Sequence, residues 1–356
     1  MNPGMPGRFI TLVRRLAESG RLSSAGEYRE LLDPDVAADD LETLRQEARR
    51  LADRVFGRGV YVRALVEITN RCRNNCLYCG IRCDNRALER YALTPGQIHD
   101  CCATAYASGM RTFVLQGGEN PDFTCDSVCA VVKAIHGCWP DAAVTLSLGE
   151  WPDAAYEAFF RAGASRYLLR QETVDALHYG KLHPPGMSRD NRLRCQASLK
   201  RIGFQTGAGI MVGSPWQTLD NIAADLAYMA ELGPHMIGIG PFIPHSATPL
   251  GGFSPGSVPL TLRLISILRL MFPGANIPAT TALATLDPEG RRKGILAGAN
   301  VVMPNVSPSH VRESYALYDG KSHSGAEAVE GLAALAHELG GIGFEINFER
   351  GDFKNI

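Results

Sequence analysis

The feature that most constrains the fold is an alternation of short runs of branched apolar residues with amphipathic stretches, starting at Val62. The runs that favour strands are residues 62–68, 112–116, 143–148, 166–170, 206–212, 236–240, 276–281 and 300–304. Helical segments between strands predict a parallel sheet, because each connection has to return to the end of the sheet where the previous strand began. Eight such units in about 250 residues predict an α/β protein with a (β/α)8 TIM-type barrel. An open doubly wound sheet is the alternative.

Helical patterns flank the predicted barrel. Apolar residues recur three and four apart over 9–20 and 41–57, and the second stretch ends at a glycine. We therefore expect an N-terminal helical extension over 1–58, the barrel over 59–321, and a C-terminal helical tail over 322–356 that closes the barrel. The 356 residues and 45 % hydrophobic content suffice for one large barrel or for two ordinary domains.

Polar and reactive residues follow the predicted strands repeatedly, at the point where each strand ends. They are residues 69–79, 116–120, 147–151, 170–173, 241–245, 280–281 and 303–305. In barrels and in doubly wound sheets alike, ligands bind at the carboxyl ends of the strands. The sequence therefore predicts the functional site at that end.

Charge and cysteine usage bound the class of protein. A formal net charge of -1 gives no electrostatic footprint for nucleic acid or an anionic membrane, so we expect a small or buried substrate. We find neither a cleavable leader pattern nor eighteen uninterrupted apolar residues. All ten cysteines lie between Cys72 and Cys195, which is not typical of a disulfide framework. These observations predict a soluble, cytoplasmic protein with reduced thiols.

The densest functional signal is a cysteine loop after the first predicted strand, TNRCRNNCLYCG, with C-x3-C-x2-C at Cys72, Cys76 and Cys79. Three thiolates on one short loop can bind a cubane iron–sulfur cluster and leave its fourth iron free to chelate a cofactor or substrate. Two alternatives stay open: a structural zinc site, and a closed site with Cys83 as the fourth ligand. We expect the other cysteines to be small core or helix-face residues.

With Tyr78 before its last cysteine, this loop resembles the signature of the radical S-adenosylmethionine (SAM) superfamily. The resemblance implies one 4Fe–4S cluster on the three cysteines, with SAM on the open iron. It further implies one-electron cleavage of SAM to methionine and a 5'-deoxyadenosyl radical. The cofactor-binding residues that it implies, each of which could otherwise be an ordinary turn, surface or core residue, are Tyr78, Gly117, Gly118, Glu119, Ser147, Glu172, Arg192 and Met211.

Longer strings between roughly residues 41 and 321 are similar to the HydE family, the radical SAM maturases of FeFe-hydrogenase. They include GASRYLLRQET, GAGIMVG, NIPATTA and ANVVMPNVSPS. This resemblance implies an organometallic substrate, an iron complex carrying cysteine, carbon monoxide and cyanide, in assembly of the H-cluster. It also implies hydrogenase maturation proteins and an electron donor as partners. The residues that it places at the substrate are Arg170, Thr280, Thr281, Met303 and Tyr315, with Tyr318 closing the cavity.

Purely structural roles for these residues stay open. Arg170 could instead form an ion pair with Glu172, the threonines could fill a strand, and the tyrosines could pack the last helix.

Departures from the family pattern leave other functions open. The chain has no cysteine after Cys195, so we expect no accessory cluster. Gln171 stands where we expect histidine and Gly117 where we expect serine, both at positions expected close to the reaction centre. The alternatives are a methylornithine synthase-like amino-acid mutase and a maturase-like paralogue with another small substrate. Outside enzymes, the alternative is a closed four-cysteine zinc or iron–sulfur module with a structural or redox role. Biotin synthase is more distant, because ligands for its second cluster are not evident.

Overall fold

The computed structural model describes residues 7–322 and 325–356. Three helices precede the first strand: α1 (Arg8–Ser19), α2 (Ala25–Glu30) and α3 (Ala38–Phe56). Helix α3 ends at Gly57, whose φ of 64° is a conformation that favours glycine. The apolar faces of these helices join the main core through residues such as Leu12 and Leu44. The predicted N-terminal helical extension is therefore confirmed.

The barrel wall consists of short strands whose pairings are parallel. One sheet has the order β2-β3-β4-β5-β6-β8, β7 pairs with β9, and β1 lies between β10 and β11. The bounds are β1 (Gly59–Val62), β2 (Ala64–Thr69), β3 (Thr112–Gly117), β4 (Ala143–Ser147), β5 (Ala164–Leu168), β6 (Gln205–Ala208), β7 (Met211–Val212), β8 (Met236–Ile237), β9 (Gly240–Pro241), β10 (Val301–Val302) and β11 (Glu345–Asn347).

Isolated bridges close the ring. Met236 bridges to Asn276, and Pro278 bridges to Val301, so residues 276–278 fill the seventh position although they form no regular strand. Pro278 has no N–H to donate to a ladder, which accounts for the irregularity. Leu65 then bridges to Asn305 and joins the last strand to the first. The predicted eight-stranded barrel is confirmed.

One predicted strand was too long at its end. Residues 280 and 281 were assigned to the seventh strand, but Thr280 is the N-cap of helix α11, which spans Thr281–Leu286. The threonine pair therefore starts a helix at the barrel mouth. This correction changes what each of the two hydroxyls can contact.

Helices surround the strands and link them. Helices α4, α5 and α9 each begin with a capping box on a threonine, which satisfies orphan amide groups of the first turn. No helix in the described ranges is both long and apolar enough to cross a membrane. The remaining helices are α4 (Pro95–Ala107), α5 (Cys125–Cys138), α6 (Asp153–Ala162), α7 (Ala176–Leu182), α8 (Arg189–Ile202), α9 (Leu219–Leu232), α10 (Val258–Met271), α11 (Thr281–Leu286), α12 (Gly290–Leu296), α13 (Ser309–Arg312) and α14 (Leu332–Gly340), with short 3-10 turns at Gly325–Glu327 and Val329–Gly331.

Residues 350–352 pack against the amino end of the barrel. Strand β11 pairs with β1, so the tail is not helical throughout. Beyond it, the Arg350 carbonyl accepts hydrogen bonds from Thr112 Oγ1 (2.8 Å) and Arg166 Nη2 (2.9 Å), and the Gly351 carbonyl accepts one from Arg63 (3.1 Å). Thr112 begins β3, Arg63 directly precedes β2, and Arg166 lies within β5. The opposite, carboxyl end is the one that remains for a site.

Candidate active site

The cysteine loop at the barrel mouth is shaped by two side chains. The Arg90 guanidinium donates to four loop carbonyls, those of Asn70 (2.5 Å), Ile81 (2.8 Å), Arg82 (2.6 Å) and Asn85 (3.0 Å). The buried amide of Asn70 donates to the Glu89 and Ser314 carbonyls, both at 2.7 Å. The loop is therefore held in one conformation by charge-assisted bonds to its own backbone.

The three predicted cluster ligands share one electrostatic environment. Burial raises the pKa of Cys79 to about 12, with the Cys72 thiolate adding to the effect. Burial also raises the pKa of Cys76, where Cys79 and Cys72 contribute next. Thiols in this state bind metal only when cationic metal charge displaces their protons, which is the chemistry that an iron–sulfur cluster supplies. Cys83 is exposed to solvent.

The donor set therefore fits a cluster. Among residues 7–322 and 325–356, no three His, Cys, Asp or Glu side chains are close enough to hold a single metal ion. A cubane does not need three side chains on one ion, because each of its cysteines binds a different iron. The Cys76 Sγ lies 3.6 Å from the Met187 sulfur, in a partly exposed loop that covers this side of the site.

Glycines bring the segment after β3 against the cysteine loop. A Cβ at Gly118 would lie 2.4 Å from the Arg71 carbonyl oxygen and 2.7 Å from the Cys72 Cβ. A Cβ at Gly117 would lie 2.9 Å from the Thr69 methyl group. Thr69 therefore accounts for glycine at the position where serine was expected, and a larger residue there would push the loop away.

Glu119 links three parts of the mouth. Its carboxylate accepts hydrogen bonds from Arg73 Nη2 (3.0 Å) in the cysteine loop and from the Glu150 amide (3.0 Å) after β4. A Cβ at Gly149, whose φ is 76°, would overlap the Glu119 side chain at 2.1 Å. Ser147, at the end of β4, lies on the same wall, in register with Gln116 of β3.

Two ion pairs lie beyond the end of β5. Arg170 Nη2 is 2.8 Å from Glu172 Oε1, and Arg192 Nε is 2.5 Å from Glu150 Oε1. Arg192 also donates to the Arg170 carbonyl at 2.7 Å. Within the described part of the chain, Glu172 Oε2 is buried without a hydrogen-bond partner. The ion pair that sequence reasoning left open for Arg170 is thus present, and one carboxylate oxygen still lacks a donor.

An apolar wall faces these charges. Met211 packs with Leu182, Phe242 and Leu250, and Tyr78 lies against this cluster. The Tyr78 hydroxyl is 3.3 Å from His183 Nε2, and burial lowers the pKa of His183 to about 3, so its ring is neutral. The wall offers flat apolar surface next to the cysteine loop, as an adenine ring requires.

Inside the barrel, charged groups that sequence reasoning missed line the space below the mouth. Glu67 is fully buried, and its carboxylate accepts hydrogen bonds from Lys321 Nζ (2.5 Å) and Asn305 Nδ2 (2.7 Å). The Lys321 ammonium lies over the Tyr315 ring, 5.1 Å from its centroid. An acidic residue within the apolar run LVEI was the one available signal, because a buried charge requires a partner.

The predicted substrate residues differ in what they contact. Thr280 Oγ1 is buried and has no hydrogen-bond partner within the described ranges, whereas Thr281 Oγ1 donates to Glu327 at 2.6 Å. The Tyr315 hydroxyl accepts from Gln116 at 3.4 Å, inside the barrel. Met303 is partly buried and packs against a cluster that contains Phe56 of α3, Tyr61 and Val301.

Gln171 does not face the mouth. Its side chain contacts Gln196 of α8 and Asp225 of α9, in the layer between the sheet and the helices. The expectation that this side chain lies close to the reaction centre is therefore wrong. Residues 170–172 follow the end of β5 in a turn where Glu172 has φ of 64°, so the direction of the Gln171 side chain comes from this turn and from its hydrogen bonds to Gln196 and Asp225.

Comparison with known proteins agrees with this geometry. The model of the Radical SAM superfamily matches residues 66–229, a segment that contains the cysteine loop. A 3-methylornithine synthase of Methanosarcina barkeri is 31 % identical over 87 % of this chain and 87 % of that protein. A crystal structure of methylornithine synthase superposes with a TM-score of 0.82 at 27 % identity, covering 94 % of this chain and 97 % of that one.

A further relative is more similar in sequence. The [FeFe] hydrogenase maturase subunit HydE of Thermotoga maritima is 45 % identical over 82 % of this chain and 84 % of that protein. Identity at this level spans the barrel and not only its cysteine motif. The chain belongs to the radical SAM superfamily, whose enzymes bind a 4Fe–4S cluster and SAM.

Proposed function

We propose that this enzyme is an [FeFe] hydrogenase maturase that acts on an iron complex carrying cysteine, carbon monoxide and cyanide during assembly of the H-cluster. The observation that carries the proposal is the 45 % identity to a HydE protein along more than four fifths of both chains. We also propose a cytoplasmic location, with hydrogenase maturation proteins and an electron donor as partners. A reducing compartment suits ten cysteines that form no disulfide.

The proposed division of labour follows the two walls of the mouth. When bound, the cluster and SAM supply one electron and a 5'-deoxyadenosyl radical. Cys72, Cys76 and Cys79 would bind the cluster, as the resemblance implies. Glu119 and Arg192 would orient the methionine part of SAM, and the apolar wall around Met211 would exclude water from its adenine.

The substrate would lie deeper, between the ion pairs of the barrel interior. The Arg170 side chain keeps 32 % of its surface accessible while it pairs with Glu172, so part of it can contact a ligand. Thr280 Oγ1 and Glu172 Oε2 each lack a partner within the described ranges, and both could bond to a polar ligand. Ligand contacts would recover the free energy that these buried polar atoms cost the folded protein.

The proposal is tested in two stages on anaerobically reconstituted protein. Dithionite-reduced enzyme with SAM should form 5'-deoxyadenosine and methionine. The same enzyme should then activate apo-hydrogenase in a maturation mixture that lacks this one maturase, and a Cys79→Ser variant should fail in both assays. SAM cleavage without hydrogenase activation would overturn the substrate and leave the family assignment intact.

A second candidate function is a methylornithine synthase-like amino-acid mutase. It is favoured by the superposition on a methylornithine synthase with a TM-score of 0.82, at 27 % identity. A paired acid and base inside the barrel, Glu67 and Lys321, would also suit the zwitterion of an amino acid. Incubation with lysine separates the two: formation of 3-methylornithine would support the mutase, and unchanged lysine would exclude it.

A further inference from the structure

A buried hydrogen-bond network lies behind the active-site ion pair, on the helix side of β5. The fully buried Gln171 accepts at Oε1 from the Gly209 amide (2.9 Å) and from Gln196 Nε2 (3.3 Å), and its Nε2 lies 3.5 Å from Asp225 Oδ1. Gln196 is itself fixed, since its Oε1 accepts from the Tyr228 hydroxyl at 2.7 Å. Each amide in this network has a defined orientation.

Asp225 of α9 sets the orientation of the Gln171 amide. Its Oδ1 already accepts a hydrogen bond from the Val174 amide at 2.9 Å, so this oxygen acts as an acceptor. Gln171 therefore presents its NH2 group to Asp225 and its oxygen to Gly209. The Asp225 carboxyl group thus determines that the oxygen of Gln171, and not its NH2 group, faces the Gly209 amide.

The network holds the backbone on both sides of Gly209, between β6 and β7. The Gly209 amide donates to the Gln171 side chain, and the Gly209 carbonyl accepts from the Glu172 amide at 3.2 Å. Glu172 has φ of 64°, a conformation that side-chain-bearing residues adopt only where the surroundings enforce it. A Cβ at Gly209 would lie 1.9 Å from the Gly238 carbonyl oxygen, so only glycine allows the two backbones to approach this closely.

We propose that Gln171 is a positioning residue: through Gly209 it holds the turn that directs Arg170 and Glu172 into the barrel, and Asp225 holds its amide in the required orientation. Gln171 touches neither cofactor nor substrate in this arrangement. Its effect passes through the backbone to the two side chains that face the ligands. The inference rests on membership of the radical SAM superfamily and is independent of the proposed hydrogenase substrate.

The test compares Gln171→Met with Ser266→Ala in the reconstituted holoenzyme. Methionine matches the shape of glutamine without its hydrogen bonds, and Ser266 is a buried residue of α10 whose Oγ donates to the Ala297 carbonyl at 2.9 Å, remote from the mouth. We expect about tenfold weaker SAM binding in Gln171→Met, as for loss of one favourable contact. Deuterium uptake of the peptide over 205–212 should rise as well. Ser266→Ala should lower the unfolding temperature without either change.

A second pair of variants tests the orientation by Asp225. Asparagine keeps an oxygen that can accept from both Val174 and Gln171, so Asp225→Asn should bind SAM as the wild type does, and Asp225→Leu should behave like Gln171→Met. Wild-type SAM affinity and wild-type deuterium uptake in Gln171→Met would overturn the proposal and leave Gln171 a packing residue. Loss of iron from Gln171→Met would overturn it too, by relocating the effect to the cysteine loop. Where Gln171→Met does not fold, the Asp225 pair decides.

Discussion

Two arginines on the same inward face of one barrel segment have opposite surroundings. Arg166, within β5, has no exposed side-chain surface and pairs with Asp352 of the tail at 2.8 Å. Arg170, beyond the end of β5, keeps 32 % of its surface accessible and pairs with Glu172 at 2.8 Å. The first arginine is covered by residues 350–352, and the second stays partly accessible. The same side chain thus stabilises the fold at one end and is available to ligands at the other.

The two ends of the barrel also differ in whether the chain itself covers their buried polar groups. Both contain buried polar atoms without partners within the described ranges, Nε of Arg63 and Arg166 at the amino end, and Glu172 Oε2 and Thr280 Oγ1 at the mouth. At the amino end, residues 350–352 already contact both arginines. The two unpaired Nε groups therefore lower the stability gained from this packing. At the mouth, the unpaired oxygens lie at the end of the barrel where we propose that the cofactors bind.

The largest expected effect is at the cysteine loop. Serine at any one of Cys72, Cys76 or Cys79 should abolish 5'-deoxyadenosine formation, because the cluster loses a ligand that serine does not replace. Iron and sulfide analysis together with product chromatography measures both consequences. Cys83→Ser is the matched control, since Cys83 is exposed, and it should keep both cluster and activity. A Cys83 variant without iron would indicate a closed four-cysteine site.

The two threonines should separate function from stability at the mouth itself. Thr280→Val replaces an unpaired buried hydroxyl, so it should leave stability unchanged or raise it by up to about 1 kcal/mol, and should lower hydrogenase activation about tenfold. Thr281→Val removes the bond to Glu327 and should cost about 1 kcal/mol of stability. Chemical denaturation and the activation assay measure the two effects. Equal stability losses in both variants would contradict the separation.

Local signals carried the prediction of the fold and of the cluster loop. The eight strands follow from branched runs and their spacing, and the cysteines lie on one short loop where sequence distance and spatial distance agree. Family membership shows an enzyme and so excludes a purely structural or redox role, whereas the absence of Cys83 from the ligands stays a prediction. Residues at strand ends were found because parallel strands end at one edge.

Partners that are distant in sequence could not be predicted in the same way. Lys321 meets Glu67 across 254 positions, and Arg166 meets Asp352 across 186, so neither pair has a periodic signal. The orientation of Gln171 depends on where the strand ends, which apolar runs define only to within a few residues. The division of the chain at residues 58 and 321 stays a prediction.

The smallest expected effect is a pH dependence at the amino end. Partial burial opposes ionisation of Asp352, but hydrogen bonds from Arg166 and Gln205 lower its pKa to about 2. A lowered pKa stabilises the fold above the ordinary value near 4, and this contribution is lost as pH falls from about 4 to about 2. Because Asp352 is 44 % exposed, the contribution is less than about 1 kcal/mol. Thermal unfolding of Asp352→Asn should lack this part of the acid sensitivity, and an unaltered profile would contradict the assignment.

The central claim, that one barrel end stabilises the fold and the other holds the ligands, is tested most directly by one substitution at two positions. Arg166→Met and Arg170→Met are compared by chemical denaturation and by SAM-dependent hydrogenase activation per folded enzyme. Arg166→Met should lose about 2 kcal/mol of stability, because it removes the hydrogen bonds to Thr112 and to the Arg350 carbonyl, and should keep its activity. Arg170→Met should lose at least about tenfold in activity per folded enzyme, in addition to the stability it loses by leaving the buried Glu172 carboxylate without its partner. Equal stability losses with full activity in Arg170→Met would contradict the claim.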